Sequence, residues 1–199
     1  MVADVFRWMA FSLFCIVAAF SVWPFYVLKN FPRLMMSRTY FPVGVILIVV
    51  DQAAKVWASL QLKLMIRPIV LIDGFLEFKY VENTGAAFGI LKGKTFLFVV
   101  MAAVTIMIIL VYLAMVDEEE PIVRAALVLI LAGAIGNLID RVVYGYVVDY
   151  VHMFWQSKGL DWPVFNFADM IIDLGVGIIV LDFIRDLVRE GKGEAPAQA

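Results

Sequence analysis

The residues with the most chemistry to offer lie between Gly133 and Asp169, in GAIGNLIDRVVYGYVVDYVHMFWQSKGLDWPVFNFAD. Asn137, Asp140, Arg141, Asp149, Asn166 and Asp169 fall there at or near the ends of two apolar runs. Ionisable groups at a membrane boundary are costly unless paired or wetted, so such a cluster marks a candidate site. Two acidic side chains brought together divide labour. Like charges raise one pKa, so one carboxyl keeps its proton while the other ionises. The ionised group takes a proton from water and the protonated one polarises a carbonyl. Neither a covalent nucleophile nor a metal is required. The single histidine, His152, lies three residues from Asp149 with no serine beside it, so a serine triad has little support. His152 reads as an interfacial side chain. One Cys and one His do not make a zinc site, although composition alone leaves a carboxylate-bound hard cation open. No cofactor is expected. A second reading stays open on spacing: membrane aspartates also serve transporters as proton or ion sites.

The elements that must hold these residues are membrane spans. Of 199 residues, 64% are hydrophobic and 17% charged, too few charges to cover a water-facing globule. The mean hydropathy is +0.94. A net charge of −2 gives no reason to expect nucleic acid as a partner. A first span from Phe41 to about Leu60 carries Asp51 and Lys55 at i and i+4, where they can pair on one helical face. A structural ion pair is favoured there over direct catalysis. From Pro68 to Glu82, Asp73-Gly74 between β-branched and aromatic stretches predicts a hairpin, which must lie outside lipid. Asn83 to Gly89 (NTGAAFG) is a small-residue segment, equally consistent with close substrate approach or a tight turn. Thr95 to Val116 carries no charge, and an acidic loop and Pro121 lead into a span ending near Ile139. Asn137, Asp140 and Arg141 follow on one face. Tyr144 to Tyr150 predicts a second short β segment carrying Asp149, and the last span runs from about Phe165 to Leu187. Asp169 and Asp173 are i and i+4 on it. Asp169 stands at the helix start, where the dipole favours its ionised form. Asp173 is about 6 Å deeper and is expected to be neutral or bonded to a neighbouring helix.

Residues 1–34 stand apart. Trp8 to Leu28 has no charge over 21 residues, long enough to cross a bilayer, yet Met35 and Met36 offer alternative starts. An additional N-terminal transmembrane helix and a start-site artefact are both consistent with this run. Residues 35–190 form the candidate functional domain, and a disordered tail is expected over 191–199. Basic residues divide seven against seven between the two sides, so charge bias does not set orientation.

Four blocks, in order, resemble the lipoprotein signal peptidase (signal peptidase II) family: DQAAK (51–55), ENTGAAFG (82–89), GAIGNLIDRVVYGYVVDY (133–150) and FNFAD (165–169). The resemblance covers about residues 38 to 190. It implies a membrane all-α protein: a four-helix transmembrane bundle with a small extra-membrane β-sheet cradle and a short extra-membrane helix. It further implies an intramembrane aspartic endopeptidase of the bacterial inner membrane, its site near the outer leaflet and both chain ends cytoplasmic. The substrate would be a diacylglyceryl-modified prolipoprotein cut just before the lipidated cysteine, and globomycin would inhibit the reaction. The partners expected are lipidated prolipoproteins and membrane lipid, with the protein acting as a monomer. On this resemblance Asp149 and Asp169 match the catalytic pair. Asn83, Asn137, Arg141 and Asn166 match polar residues around the substrate and the acid pair. Asp51 and Lys55 match a structural pair, and Asp140 an acid that supports Arg141. The first 34 residues and Asp173 depart from the family pattern.

Overall fold

The computed structural model describes residues 40–85, 95–115 and 120–191. The N-terminal run, residues 86–89 of the small-residue segment, acidic residues 117–119 and residues 192–199 of the expected tail lie outside them. Among the described residues, four helices carry the architecture. They are α1 (Tyr40–Gln61), α2 (Thr95–Met115), α3 (Pro121–Val143) and α4 (Phe167–Gly191). Three of them, α1, α2 over Thr95–Leu113, and α3, are long and apolar enough to cross a membrane. Their outward faces are strongly apolar, with Leu60 72% and Phe96 80% exposed, a surface that suits lipid and not water.

α3 is the central helix and packs against the other three. Small residues let it come close. A Cβ on Gly133 would stand 2.5 Å from the Ala168 carbonyl oxygen, one on Gly175 would stand 2.6 Å from that of Ala126, and one on Gly136 would run into the Asp51 carboxylate. The α3–α4 seam therefore depends on glycine from both sides. Helix α3 runs four residues past the expected end near Ile139, because Asn137 and Asp140 turn inward and find partners there.

The sheet lies at one end of this bundle. It is antiparallel with order β1-β2-β3-β4: β1 (Ile69–Ile72), β2 (Leu76–Asn83), β3 (Val147–Trp155) and β4 (Leu160–Asp161). Gly74, at φ +70°, makes the turn expected of Asp73-Gly74. The second β segment starts later and runs longer than the sequence suggested. Gly145, at φ +81°, breaks the chain after α3, and β-branched and aromatic residues then carry β3 on to Trp155. Buried Ala58, Leu62, Val148 and Tyr150 join the sheet to α1. Trp57 packs edge-on against Phe78 at 5.6 Å and Tyr150 at 6.5 Å. Among the described residues, the helical turn outside the bundle is the 3-10 turn Gln156–Lys158.

Candidate active site

Two kinds of backbone deliver the two acids. Asp149 lies on β3 and is 2% exposed. Asn83 Nδ2 donates to its Oδ2 at 2.9 Å, and Asn166 Nδ2 donates to its Oδ1 at 2.7 Å. A one-residue shift in the β2–β3 ladder between Phe78 and Val81 sets Asn83 opposite Val147, diagonal to Asp149. An unshifted ladder would set Asn83 opposite Tyr146, further from the acid. Burial pushes the Asp149 carboxyl up to about 7, and the neighbouring Asp169 charge adds to the push. The Asn83 and Asn166 amides pull the other way without cancelling it.

Asp169 is the third residue of α4, and Asn166 is its cap. The Asp169 N–H donates to Asn166 Oδ1 at 3.0 Å, and the Asn166 N–H donates to Asp169 Oδ2 at 3.1 Å. This reciprocal pair satisfies two amides at the helix start. The helix begins two residues after the expected Phe165 because Phe165 is held by β3. Val151 N donates to Phe165 O at 2.8 Å, and Phe165 N donates to Val151 O at 2.9 Å. Asn137 Nδ2 donates to Asp169 Oδ1 at 2.8 Å. Fully buried Asn166 thus touches both acids, bonding Asp149 through its amide nitrogen and capping the helix at Asp169 through its oxygen.

Beneath the pair lies a buried ionic layer. Lys55 Nζ is 2.9 Å from Asp51 Oδ2, 3.2 Å from Asp140 Oδ2 and 2.9 Å from Asn137 Oδ1. Asp51 and Lys55 pair as their spacing on α1 predicts. Each carboxylate also holds a backbone amide next to one of the acids. Asp51 Oδ1 accepts from Ala168 N at 2.9 Å, and Asp140 Oδ2 accepts from Val148 N at 3.0 Å. Lys55 therefore joins the arm carrying Asp169 to the arm carrying Asp149. Gln52, which the sequence reading did not single out, completes the layer. Its Nε2 reaches Asp51, Asp140 and the Gly136 carbonyl, each at 3.2 Å. An amide in an otherwise apolar span beside a buried acid was the signal available for it.

Two expectations are narrowed by the geometry. Asp140 bonds Lys55 and the start of β3, and its charge also acts on the Arg141 guanidinium, but no Asp140–Arg141 ion pair forms among the described residues. Adjacent helical residues point about 100° apart, so the two cannot share a direction. Arg141 instead lies over the Phe98 ring of α2, 5.3 Å from its centroid, with a 3.4 Å contact to the Asn137 carbonyl. Asp173 is exposed and has no hydrogen bond or ion pair to the described residues, so it is not bonded to a neighbouring helix. Four residues turn a helix about 40° beyond a full revolution, enough to carry it off the packed face. His152 takes no part in the acid pair. It is buried within the sheet, its ring nitrogens 2.8 Å from Glu77 Oε1 and 2.6 Å from Asp161 Oδ1. Among the described residues no cluster of three or more His, Cys, Asp or Glu is arranged to hold a metal ion.

The sequence pattern described as signal peptidase (SPase) II matches residues 43–185. The lipoprotein signal peptidase of Symbiobacterium thermophilum is 38% identical over 153 residues, covering 77% of this chain and 97% of that one. That of Clostridium tetani is 38% identical over 139 residues, covering 70% and 88%. A solved structure described as a bacterial membrane enzyme superimposes with a TM-score of 0.67 at 31% identity, covering 76% of this chain and 91% of the other. The match spans residues 43–185, and on that footing the chain belongs to the signal peptidase II family.

Proposed function

We propose that Asp149 and Asp169 are the catalytic pair of an aspartic endopeptidase, cutting diacylglyceryl-modified prolipoproteins just before the lipidated cysteine. That the chain is a multi-pass membrane protein, a peptidase and a remover of signal peptides from lipoprotein precursors follows from its family. The carrier reading finds no support in those relationships. The observation behind the aspartic mechanism is the bridge made by Asn166, one buried side chain bonded to both acidic residues.

Asp149, pushed up to about 7 by burial and by Asp169, is the member suited to keep a proton near neutrality. In this reading the ionised partner takes a proton from a water held between them, and the oxygen attacks the scissile carbonyl. The protonated partner donates to that carbonyl's oxygen. Collapse of the tetrahedral intermediate breaks the C–N bond, and the leaving amine of the cysteine takes the proton. No metal enters these steps. The substrate must be locally extended, because helical amides are protected in a membrane. The amides of Asn83, Asn137 and Asn166 hold the acids in register. Among the described residues Arg141 is held by its ring contact and one long bond, which leaves donors to position the substrate's backbone.

In this reading α4 is the fourth transmembrane crossing, the sheet end faces the outer leaflet of the inner membrane, and the enzyme acts as a monomer. Residues 35–190 suffice, and the first 34 are dispensable. Purified protein incubated with lipidated and unlipidated prolipoprotein tests the core of it. A signal peptide should be released from the lipidated form alone, and the release should survive a chelator. Chelator-sensitive cleavage restored by one divalent ion would overturn the metal-free mechanism.

A further inference from the structure

A cavity of about 300 Å³ opens beside the sheet, lined by Val56, Leu60, Lys63, Tyr80, Tyr144 and Tyr146 among others. Its floor is the Lys55 and Asp140 layer, whose charges are already spent on each other. The cavity sits where α1 ends and the chain leaves the bundle, between the outgoing ends of α1 and α3. Its two walls differ. The aliphatic wall belongs to helix faces turned outward, Val56 being 51% and Leu60 72% exposed. Val142 and Val143 continue that lipid-suited surface on α3, at 66% and 62%. The opposite wall is polar and carries tyrosine hydroxyls, with Tyr80 Oη 3.4 Å from Tyr146 Oη.

One charge of each sign stands at the mouth. Lys63 Nζ lies 2.9 Å from Glu82 Oε1 and 5.4 Å from the Tyr80 ring centroid. Their side chains are 48% and 41% exposed, so each has unspent capacity. The Glu82 contact holds the Lys63 ammonium above its ordinary range, and Lys63 holds the Glu82 carboxyl below its own, so both stay charged. An ammonium with free protons and a carboxylate with free lone pairs, side by side, match a ligand that carries a phosphate and an amine. Tyrosines at such a boundary prefer the headgroup level.

We infer that this cavity is a binding site for the zwitterionic headgroup of an aminophospholipid. Lys63 and the tyrosine hydroxyls meet the phosphodiester, Glu82 meets the primary ammonium, and the acyl chains lie along Val56, Leu60 and the end of α3. The site is separate from the acid pair, and it stands or falls independently of the peptidase mechanism.

The test uses the full chain in nanodiscs of equal parts phosphatidylethanolamine, phosphatidylglycerol and phosphatidylcholine, stripped with detergent and weighed intact by native mass spectrometry. Phosphatidylethanolamine should be retained about fivefold over the other two, the ratio one charge contact near a membrane surface sustains. Lys63→Met and Glu82→Gln should each remove the preference. Ser59→Trp, which fills the cavity while keeping both charged side chains, should remove bound lipid altogether. Melting curves identify any variant that is simply unfolded, and a single folded variant suffices to decide the matter. Equal retention of the three lipids, preference for phosphatidylglycerol, or a preference that survives all three substitutions in folded protein would overturn the site. Soluble O-phosphoethanolamine that displaces the lipid at matched concentration would also overturn it, by showing that the chains contribute nothing.

Discussion

The two acids meet from opposite kinds of backbone. Asp149 is fixed in the middle of a strand, and its carboxylate bonds among the described residues come from side chains of other elements. Asp169 begins a helix, and of its two carboxylate bonds among the described residues one comes from its own cap. A strand residue deep in a sheet loses water and holds its proton. A helix-start residue is fed by local amides. Both arms are nevertheless tied to the same ionic layer in the same way, by a buried carboxylate gripping the amide just before the acid. Identical tethers on unlike arms teach that the spacing is set from beneath and the division of labour by the surroundings.

The largest break in this comparison comes from removing either acid. Asp149→Asn and Asp169→Asn should each lower the rate of prolipoprotein cleavage by on the order of a thousandfold or more, and the double variant should cost little beyond either, since the pair acts as a unit. Single-turnover release of signal peptide measures this. An additive double variant would mean that the two act separately.

The next prediction cuts the common tether. Lys55→Met leaves Asp51 and Asp140 buried without their cation and should cost about 3–5 kcal/mol of stability. Asp51→Ala or Asp140→Ala frees one buried amide on one arm only, at about 1–3 kcal/mol each. Equilibrium unfolding in mixed micelles ranks them. If the lysine variant proves no worse than either alanine variant, the two arms are not coupled through it.

A smaller effect separates the two seats by pH. The Asp149 carboxyl is raised to about 7 in the folded protein and is near 3.8 without the fold. Between those values the native state binds the extra proton, so this group's contribution favours folding at low pH and is lost as pH rises through about 7. Asp149→Asn cannot ionise. Its stability relative to the parent should therefore increase from pH 4 to pH 8 in thermal melts. A difference that stays flat would place the raised carboxyl elsewhere.

The smallest expected effect is at Asp173, one turn beyond Asp169 and without its packing. Asp173→Asn should keep cleavage within about threefold of the parent, the range of a surface substitution. A dead Asp173→Asn beside an active Asp169→Asn would move the site one turn deeper.

Much of this was legible in the sequence for a simple physical reason. An apolar run of some twenty residues has one stable solution in lipid, so the α1, α2 and α3 spans followed from length and charge alone. Asp73-Gly74 gave its turn away because a positive φ is cheapest at glycine. The pairing of Asp51 with Lys55 follows from helical spacing, which is local geometry. Other features depend on partners far along the chain. That Asp140 would bond Lys55 and Val148 and not its neighbour Arg141 depends on which way α3 is rotated in the bundle. Where β3 ends, and that Phe165 delays the start of α4, depends on a backbone bridge between Val151 and Phe165. Gln52 became part of the site only when Gly136 allowed α1 to come close. Sequence determined which residues had to leave water, because transfer energy belongs to each side chain. Tertiary structure alone decided which of those buried polar groups would satisfy one another, because a hydrogen bond needs two partners brought to one distance.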